Sequence, residues 1–453
     1  MQTKRKRNAP FIFMIIIGAN LGGKVAAQDV SDLFLVGANI IDPSTQEVRR
    51  GNLLIREGVI VGAPQVAPAD FSGDTMNLDK KWVIPGLVDL HVHTFGNALL
   101  TAPVPVDTPG PAGVAQRMLY AGVTSFLDLF GGAHEDQLFE LRDRQRAGEI
   151  GGAEMFASLS CITAPGGHGT QVGIPARTVS TPEEARRTVE NLALRHPDAI
   201  KIIYGSESSP TPVIDKDTMF AAVEAARANG LKTVVHVETW PRARDAVEAG
   251  ATAITHIPDG DMPEDLARTM AASDVAVIPT LTAHTDTESF IGEPEVLDNP
   301  LARALTTSDV IEDYRSDEVL AQLETLKPQL EIMAASRFRS VRTMVDAGVT
   351  VLLGTDSGVP GTIQGYSVHR ELIKLVAAGL SPWQALAAAT TDAGGFLDRR
   401  YGVTPGSEAN LIVLDASPLE DIRNTQKIVS IIHHGYLVDR DALLESEIAG
   451  LQR

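Results

Sequence analysis

Four histidines, one aspartate and one lysine fall in or at the ends of short apolar runs. VDLHVH (88–93) carries His91 and His93, KTVVHVE (232–238) carries His236, AITHI (253–257) carries His256, and VTVLLGTD (349–356) ends on Asp356. In a strand, residues two apart point to the same face, so His91 and His93 share one. A lone strand histidine is ordinarily a hydrogen-bonded core residue. Four of them with a carboxylate at equivalent strand ends point instead to bound metal, because imidazole and carboxylate suit Zn2+ and similar divalent ions. The sixth residue is Lys201, in the middle of DAIKIIYG (198–205). A lysine there is costly unless it snorkels, pairs or changes its chemical identity.

These residues require elements that bring strand ends together. From about residue 83, short apolar runs alternate with alanine-rich amphipathic stretches such as 182–196 and 217–230, the pattern of βα units on a parallel sheet. Eight runs can be counted: 88–93, 123–130, 155–162, 199–205, 232–238, 253–257, 275–281 and 349–356. That is the inventory of an α/β fold of the (β/α)8 TIM-barrel type, whose active site lies at the C-terminal ends of the strands. The interval 282–340 is too long for one unit and reads as an added helical excursion, a candidate lid. Runs at 33–63, 410–418 and 427–438 are β-branched and broken by turn residues, so the two ends of the chain are expected to build a small β-sandwich. The expected division is 28–82 and 404–453 for that sandwich and 83–403 for the barrel.

The first 27 residues stand apart. KRKR (4–7), the apolar FIFMIIIGANLGG (11–23) and KVAAQ (24–28) follow the order of a secretory signal peptide, with Val25 and Ala27 suiting cleavage after Ala27. Export to the periplasm or the medium is expected, with no stable membrane anchor, since the stretch is short for a bilayer. The chain has 453 residues, 44% hydrophobic, with a formal charge of −19 and no basic patch beyond its first residues, which excludes a nucleic-acid partner. A small-molecule substrate fits better, and the sequence leaves a homo-oligomer open. The single cysteine, Cys161, excludes an intrachain disulfide and reads as a small buried hydrophobe.

GLVDLHVH (86–93), the strand-four lysine, the histidines of VVHVE and ITHIP, and GTDSG (354–358) resemble the amidohydrolase superfamily. APGGHGT (164–170), VIPTLTA (277–283), the stretch 369–394 and GVTPGSEANLIVLD (402–415) bring the resemblance closest to its imidazolonepropionase-like and Xaa-Pro or Xaa-Arg dipeptidase-like branch. Two departures stand out: Ala-Asn-Leu (409–411) where the branch has Ala-Asp-Leu, and His-Val-Glu, with Glu238, where it has His-Ala.

The resemblance implies two divalent metal ions, with His91, His93 and Asp356 around one, His236 and His256 around the other, and a carboxylated Lys201 bridging them. Imidazolonepropionases hold one metal and lack that lysine, so Lys201 favours the dipeptidase-like reading; a lysine snorkelling at a barrel mouth is the competing one. A water between two dications loses its proton near neutral pH, and Asp356 is placed to accept that proton and return it to a leaving amine. His168 is the candidate donor to the carbonyl or its developing oxyanion, unless it only structures its glycine-rich loop. Tyr204 is a weaker substrate-contact candidate that could equally pack at the rim. His369 and Arg370 sit at a helix start, and His134, His196, His284, His433 and His434 have no comparable placement.

The expected activity is a metal-dependent hydrolysis of an amide bond in a dipeptide, prolidase-like, or in an N-acyl amino acid. Alternatives on the same site are a lactonase, a phosphotriesterase-type hydrolase and an imidazolonepropionase-like cyclic amidase; a non-catalytic binding protein is a fourth.

Overall fold

In the computed structural model, the β-branched runs from the two ends of the chain join in one eight-stranded sheet. The structure describes residues 32–95, 109–131, 135–170, 176–206, 211–285 and 294–444. The expected leader 1–27 and His134 lie outside them. Strand β1 (Leu33–Asp42) pairs antiparallel with β2 (Glu47–Arg56), and β2 with β3 (Val59–Gly62). On its other edge β1 runs parallel to β4 (Asp74–Asn77) and β5 (Trp82–Pro85).

The C-terminal segment completes this sheet through β15 (Leu411–Leu414), antiparallel to β5 with Ile412 opposite Ile84 and Val413 opposite Val83. Beyond it come β16 (Ile428–His433) and β17 (Tyr436–Leu437). The period of two gives β15 two buried faces. Leu411 and Val413 join Leu35, Ile40, Leu53 and Ile60 in the core of this sheet, whereas Ile412 and Leu414 belong to the large core of the rest of the chain.

The central run of alternating segments forms two parallel sheets. One contains β6 (Leu87–Val92), β7 (Val123–Asp128) and β8 (Glu154–Ala157). The other has the order β10-β9-β11-β12-β13-β14, from β9 (Ile162–Thr163), β10 (Arg177–Thr178), β11 (Ile200–Tyr204), β12 (Thr233–Val237), β13 (Ala253–Thr255) and β14 (Ala276–Ile278). Helices α1 (Gly110–Tyr120), α2 (Glu135–Arg146), α3 (Pro182–Ala193), α4 (Lys216–Ala228), α5 (Trp240–Ala249) and α6 (Glu264–Ala272) fill the intervals. Thr181, Asp215 and Thr239 cap α3, α4 and α5 by accepting a backbone N–H with their side chains, the local signal that starts each helix where apolar periodicity resumes.

Backbone hydrogen bonds connect the two sheets at both junctions. Asp198 N–H donates to the Ala157 carbonyl, just before β11. At the other junction, residues 350–357 run between β14 and β6. Leu352 N–H donates to Val277, Leu90 N–H to Leu353, and Asp356 N–H to His91.

Three sequence expectations are corrected here. The run 155–162 is not one strand: β8 ends at Ala157, Leu159 takes a left-handed φ of 70°, and β9 pairs with different neighbours. A residue in that region turns the chain out of its ladder. The run 349–356 forms only an isolated bridge at Val351, with another at Ser357 just past its end, rather than a continuous strand. It passes very close to its neighbours, since a Cβ on Gly354 would lie 2.4 Å from Ile278 Cγ2 and 2.9 Å from His91 Cβ. The excursion does not stop at 340: its last helix, Asp317–Ala347, runs 31 residues to within two of Val349.

Candidate metal centre

The parity of each strand decides what reaches the centre. Ala199 and Val234 share a small buried cluster with Val88, Leu90, Ala253, Ile278 and Leu352. Two residues further along the same faces come Lys201 on β11 and His236 on β12. By the same count Thr255 follows Ala253, and His256 would point away. A φ of 71° at His256 swings it back, and Asp356, at φ 58°, is turned in the same way. On β6 a register shift lies between Asp89 and Val92, where His91 sits.

The result is one continuous cluster. His93 Nε2 lies 2.9 Å and His91 Nε2 3.2 Å from Asp356 Oδ1, and Lys201 Nζ lies 3.2 Å from His91 Nε2. Ring centroids are 5.1 Å apart for His91 and His256, 4.4 Å for His256 and His236, and 5.2 Å for His236 and His168. Thus His91, His93, Lys201, His236, His256, Asp356 and His168, all singled out from sequence, do meet.

Hydrogen-bond bookkeeping sets the tautomers. The Thr255 hydroxyl donates to the Ile278 carbonyl, so at 2.8 Å it accepts from His91 Nδ1–H, which leaves the Nε2 lone pair of His91 toward Asp356 and Lys201. Thr280 likewise donates to Pro279 O and accepts from His256 Nδ1–H at 2.8 Å. Burial pushes His91 and His256 well below the ordinary imidazole range, and His168 and His284 down to about 3. These rings are therefore neutral donors near pH 7. Burial works against the Asp356 carboxylate, yet His91, His93 and Lys201 hold it well below the usual carboxylate range.

A divalent cation fits this donor set. Ligand atoms of His91, His93 and Asp356 all lie within 4.8 Å of one another. Asp356 Oδ1 is buried and meets no hydrogen-bond partner among the described residues, an orphaned anionic oxygen between two imidazole nitrogens. Such an atom is costly without a cation.

An outer layer holds these candidate ligands in place. Asp89, fully buried and pushed up to about 7 by burial, accepts from the N–H groups of His91 and Thr355 and from the Thr355 hydroxyl, clamping β6 to the segment that carries Asp356. Sequence reasoning missed Asp89, Thr255, Thr280 and His284. His284 Nε2 lies 3.3 Å from His256 Nδ1; the available signal was its place four residues after Thr280.

Tyr204 is corrected. It stands at an odd offset from Lys201, shares the opposite face with Ile200 and Ile202, and donates its hydroxyl to Asp245 of α5 at 2.9 Å. His369 is a buried pin, bound to Thr425 and to the Ala121 carbonyl. Arg370 is also buried. Cys161 is buried and free, its thiol pushed up to about 12 by burial, as a small hydrophobe would be.

A model of the amidohydrolase family matches residues 82–438. An ochratoxinase from Aspergillus niger is 23% identical over 458 residues, covering 90% of this chain and 86% of its own. An imidazolonepropionase from Nocardia farcinica is 24% identical, covering 81% of this chain and 86% of its own. Among solved structures, a Xaa-Pro dipeptidase with methionine bound in its active site superposes with a TM-score of 0.71 at 23% identity, covering 90% of this chain and 100% of that one.

Proposed function

The chain belongs to the amidohydrolase family, and from that premise we propose that it is an exported, metal-dependent hydrolase of an amide bond in a dipeptide, prolidase-like, or in an N-acyl amino acid. The observation that carries this reading is Lys201, 3% exposed and 3.2 Å from His91 Nε2 inside the ring of histidines. An ammonium would repel cations there, whereas a carboxylated lysine supplies two oxygens to two divalent ions, Zn2+ by donor type. His91, His93 and Asp356 would hold one ion, His236 and His256 the other, with carboxylated Lys201 shared.

Ions so held supply Lewis acidity, lowering the pKa of water toward neutrality and polarising the scissile carbonyl. The chain's own groups do the rest. Asp356, ionised, accepts the proton of the attacking water and delivers it to the departing amine nitrogen as the C–N bond breaks. His168, neutral beside His236, donates an N–H to the carbonyl oxygen as charge develops on it.

We read the parallel strands as a (β/α)8 barrel with residues 349–356 as its eighth member, and the terminal sheet as the small β-sandwich. Hydrogen bonds from Asp198 to Ala157 and from 350–357 to β14 and β6 support the barrel. Export rests on the order of segments in residues 1–27.

The kinship with imidazolonepropionase favours a cyclic amidase as the second reading, and Lys201 weighs against it. The test is turnover by metal-loaded enzyme of Xaa-Xaa dipeptides and N-acyl amino acids, beside lactones, phosphotriesters and a cyclic amide. Amide turnover is expected on the first two; lactone or phosphotriester turnover alone would overturn the reading, and a protein purified without metal or activity would revive the non-catalytic one.

A further inference from the structure

Three of the clustered histidines have one ring nitrogen engaged from behind, and the groups that engage them differ. Behind His91 and His256 stand neutral hydroxyls, Thr255 and Thr280. Behind His236 stands a carboxylate: His236 Nε2 lies 3.2 Å from Glu238 Oε1. Glu238 stands just past the end of β12, two residues after His236, and the contact itself places its carboxylate against that ring.

Glu238 is itself anchored. Its Oε2 accepts the Ser206 backbone N–H at 2.7 Å, and Arg242 Nη1 stands 4.0 Å from the same oxygen. Neighbouring Gly205 leaves room for the pair. A Cβ there would lie 2.8 Å from both Glu238 Cδ and His236 Cδ2. The carboxylate is therefore held against the ring by bare backbone. With Nε2–H donated to Glu238, Nδ1 is the His236 nitrogen left with a lone pair for a cation.

We propose that Glu238 is the positioning residue of this centre: it fixes the His236 tautomer and ring plane, strengthens that imidazole as a donor, and makes the metal position on the His236 side the tighter of the two. A charged acceptor makes a stronger hydrogen bond than a hydroxyl, and outer partners of this kind are worth about 10–100-fold in metal affinity. The inference rests on the two-metal reading above.

The test is metal retained by the full chain during titration with a chelator, read by elemental analysis in the wild type, Glu238→Ala, Glu238→Gln and Gly205→Ala, with circular dichroism as the check on folding. The wild type should release two equivalents in two steps. Glu238→Ala and Gly205→Ala should weaken the tighter step by about 10–100-fold and leave the other in place. Glu238→Gln, whose amide oxygen still accepts from Nε2–H, should fall between, which general loosening of the site would not produce. A folded Glu238→Ala chain with the wild-type release curve overturns the proposal. A wild type that holds one equivalent, weakened in Glu238→Ala, overturns the two-metal reading but supports the role of Glu238; one equivalent that is unchanged overturns both.

Discussion

The terminal sheet and the candidate metal centre use the same backbone conformation in opposite ways. In the terminal sheet the non-glycine residues with positive φ, Gln46, Glu57, Lys80 and His434, all sit in turns, where they reverse the chain. Around the candidate metal centre Leu159, His256 and Thr280 take that conformation just past parallel strands and Asp356 in the bridged segment beside β6, and three of these four carry cluster side chains or their partners. The buried polar groups divide likewise. Leu411, Val413, Ile432 and Val83 make the interior of the sheet, with Asp42, Asn52 and Asn410 as its buried polar residues, while Asp89, Lys201, Asp356 and Glu371 are buried around the centre or the segment next to it. Strained backbone and buried charge persist where surrounding structure enforces them and function uses them. One region is built to be stable, the other to react.

Substitutions should separate the two regions. The largest effect is expected from Lys201→Ala, which should remove bound metal and lower turnover by roughly 10²-fold or more. The melting temperature of the metal-free enzyme should stay level or rise, because a buried charge is gone. Bicarbonate or a short carboxylic acid should restore part of both metal and activity; full activity with two metals in this variant would refute the bridging role.

Leu411→Ala should do the reverse. The side chain is fully buried, so denaturant titration should show a loss of about 2–5 kcal/mol, while metal content and kcat/KM of the folded fraction remain those of the wild type. A comparable fall in kcat/KM would show that the two regions are not separable.

Glu371 tests a buried charge near the centre. It accepts from the N–H groups of Leu281 and Thr282 and from the Thr282 hydroxyl, ahead of His284, and burial pushes it up to about 7 from the ordinary 4.5. Below pH 4.5 both folded and unfolded chains hold the proton and there is no penalty. Between 4.5 and about 7 the unfolded chain releases a proton that the folded chain keeps, so stability falls as pH rises, by at most about 1.4 kcal/mol per pH unit. Above that window the term is constant. Glu371→Gln should flatten this slope in denaturant titrations from pH 4.5 to 7, and an unchanged slope would count against a raised pKa.

The smallest effect should come from the exposed ion pair of Arg50 and Asp79 in the terminal sheet. Arg50→Ala should shift stability by less than about 1 kcal/mol, and less in high salt. A larger loss would mean that charge at the surface matters as much there as burial does.

Much of this was legible in the chain itself. The seven centre residues, from His91 to Asp356 with His168, could be picked out because donor type and strand periodicity are local properties. The breaks at Leu159 and Gly354 were not legible, since both lie inside apolar runs that look continuous and are interrupted by neighbours far away in sequence. Tyr204 could have been placed from its odd offset to Lys201. His284 had only its place four residues after Thr280 to mark it, because Glu371, about ninety residues on, caps the segment that leads to it.

The sequence alone therefore determined which donors exist, the apolar runs that carry them and the family to which they belong. Tertiary structure decided which nitrogen of each histidine is free. Thr255 is 164 residues from His91 and Thr280 is 24 from His256; the Thr255 hydroxyl is oriented by the Ile278 carbonyl, which only packing brings near, and the Thr280 hydroxyl by the carbonyl of its own neighbour Pro279. A ligand's type is written into the residue; its lone pair is aimed by contacts that no local pattern encodes.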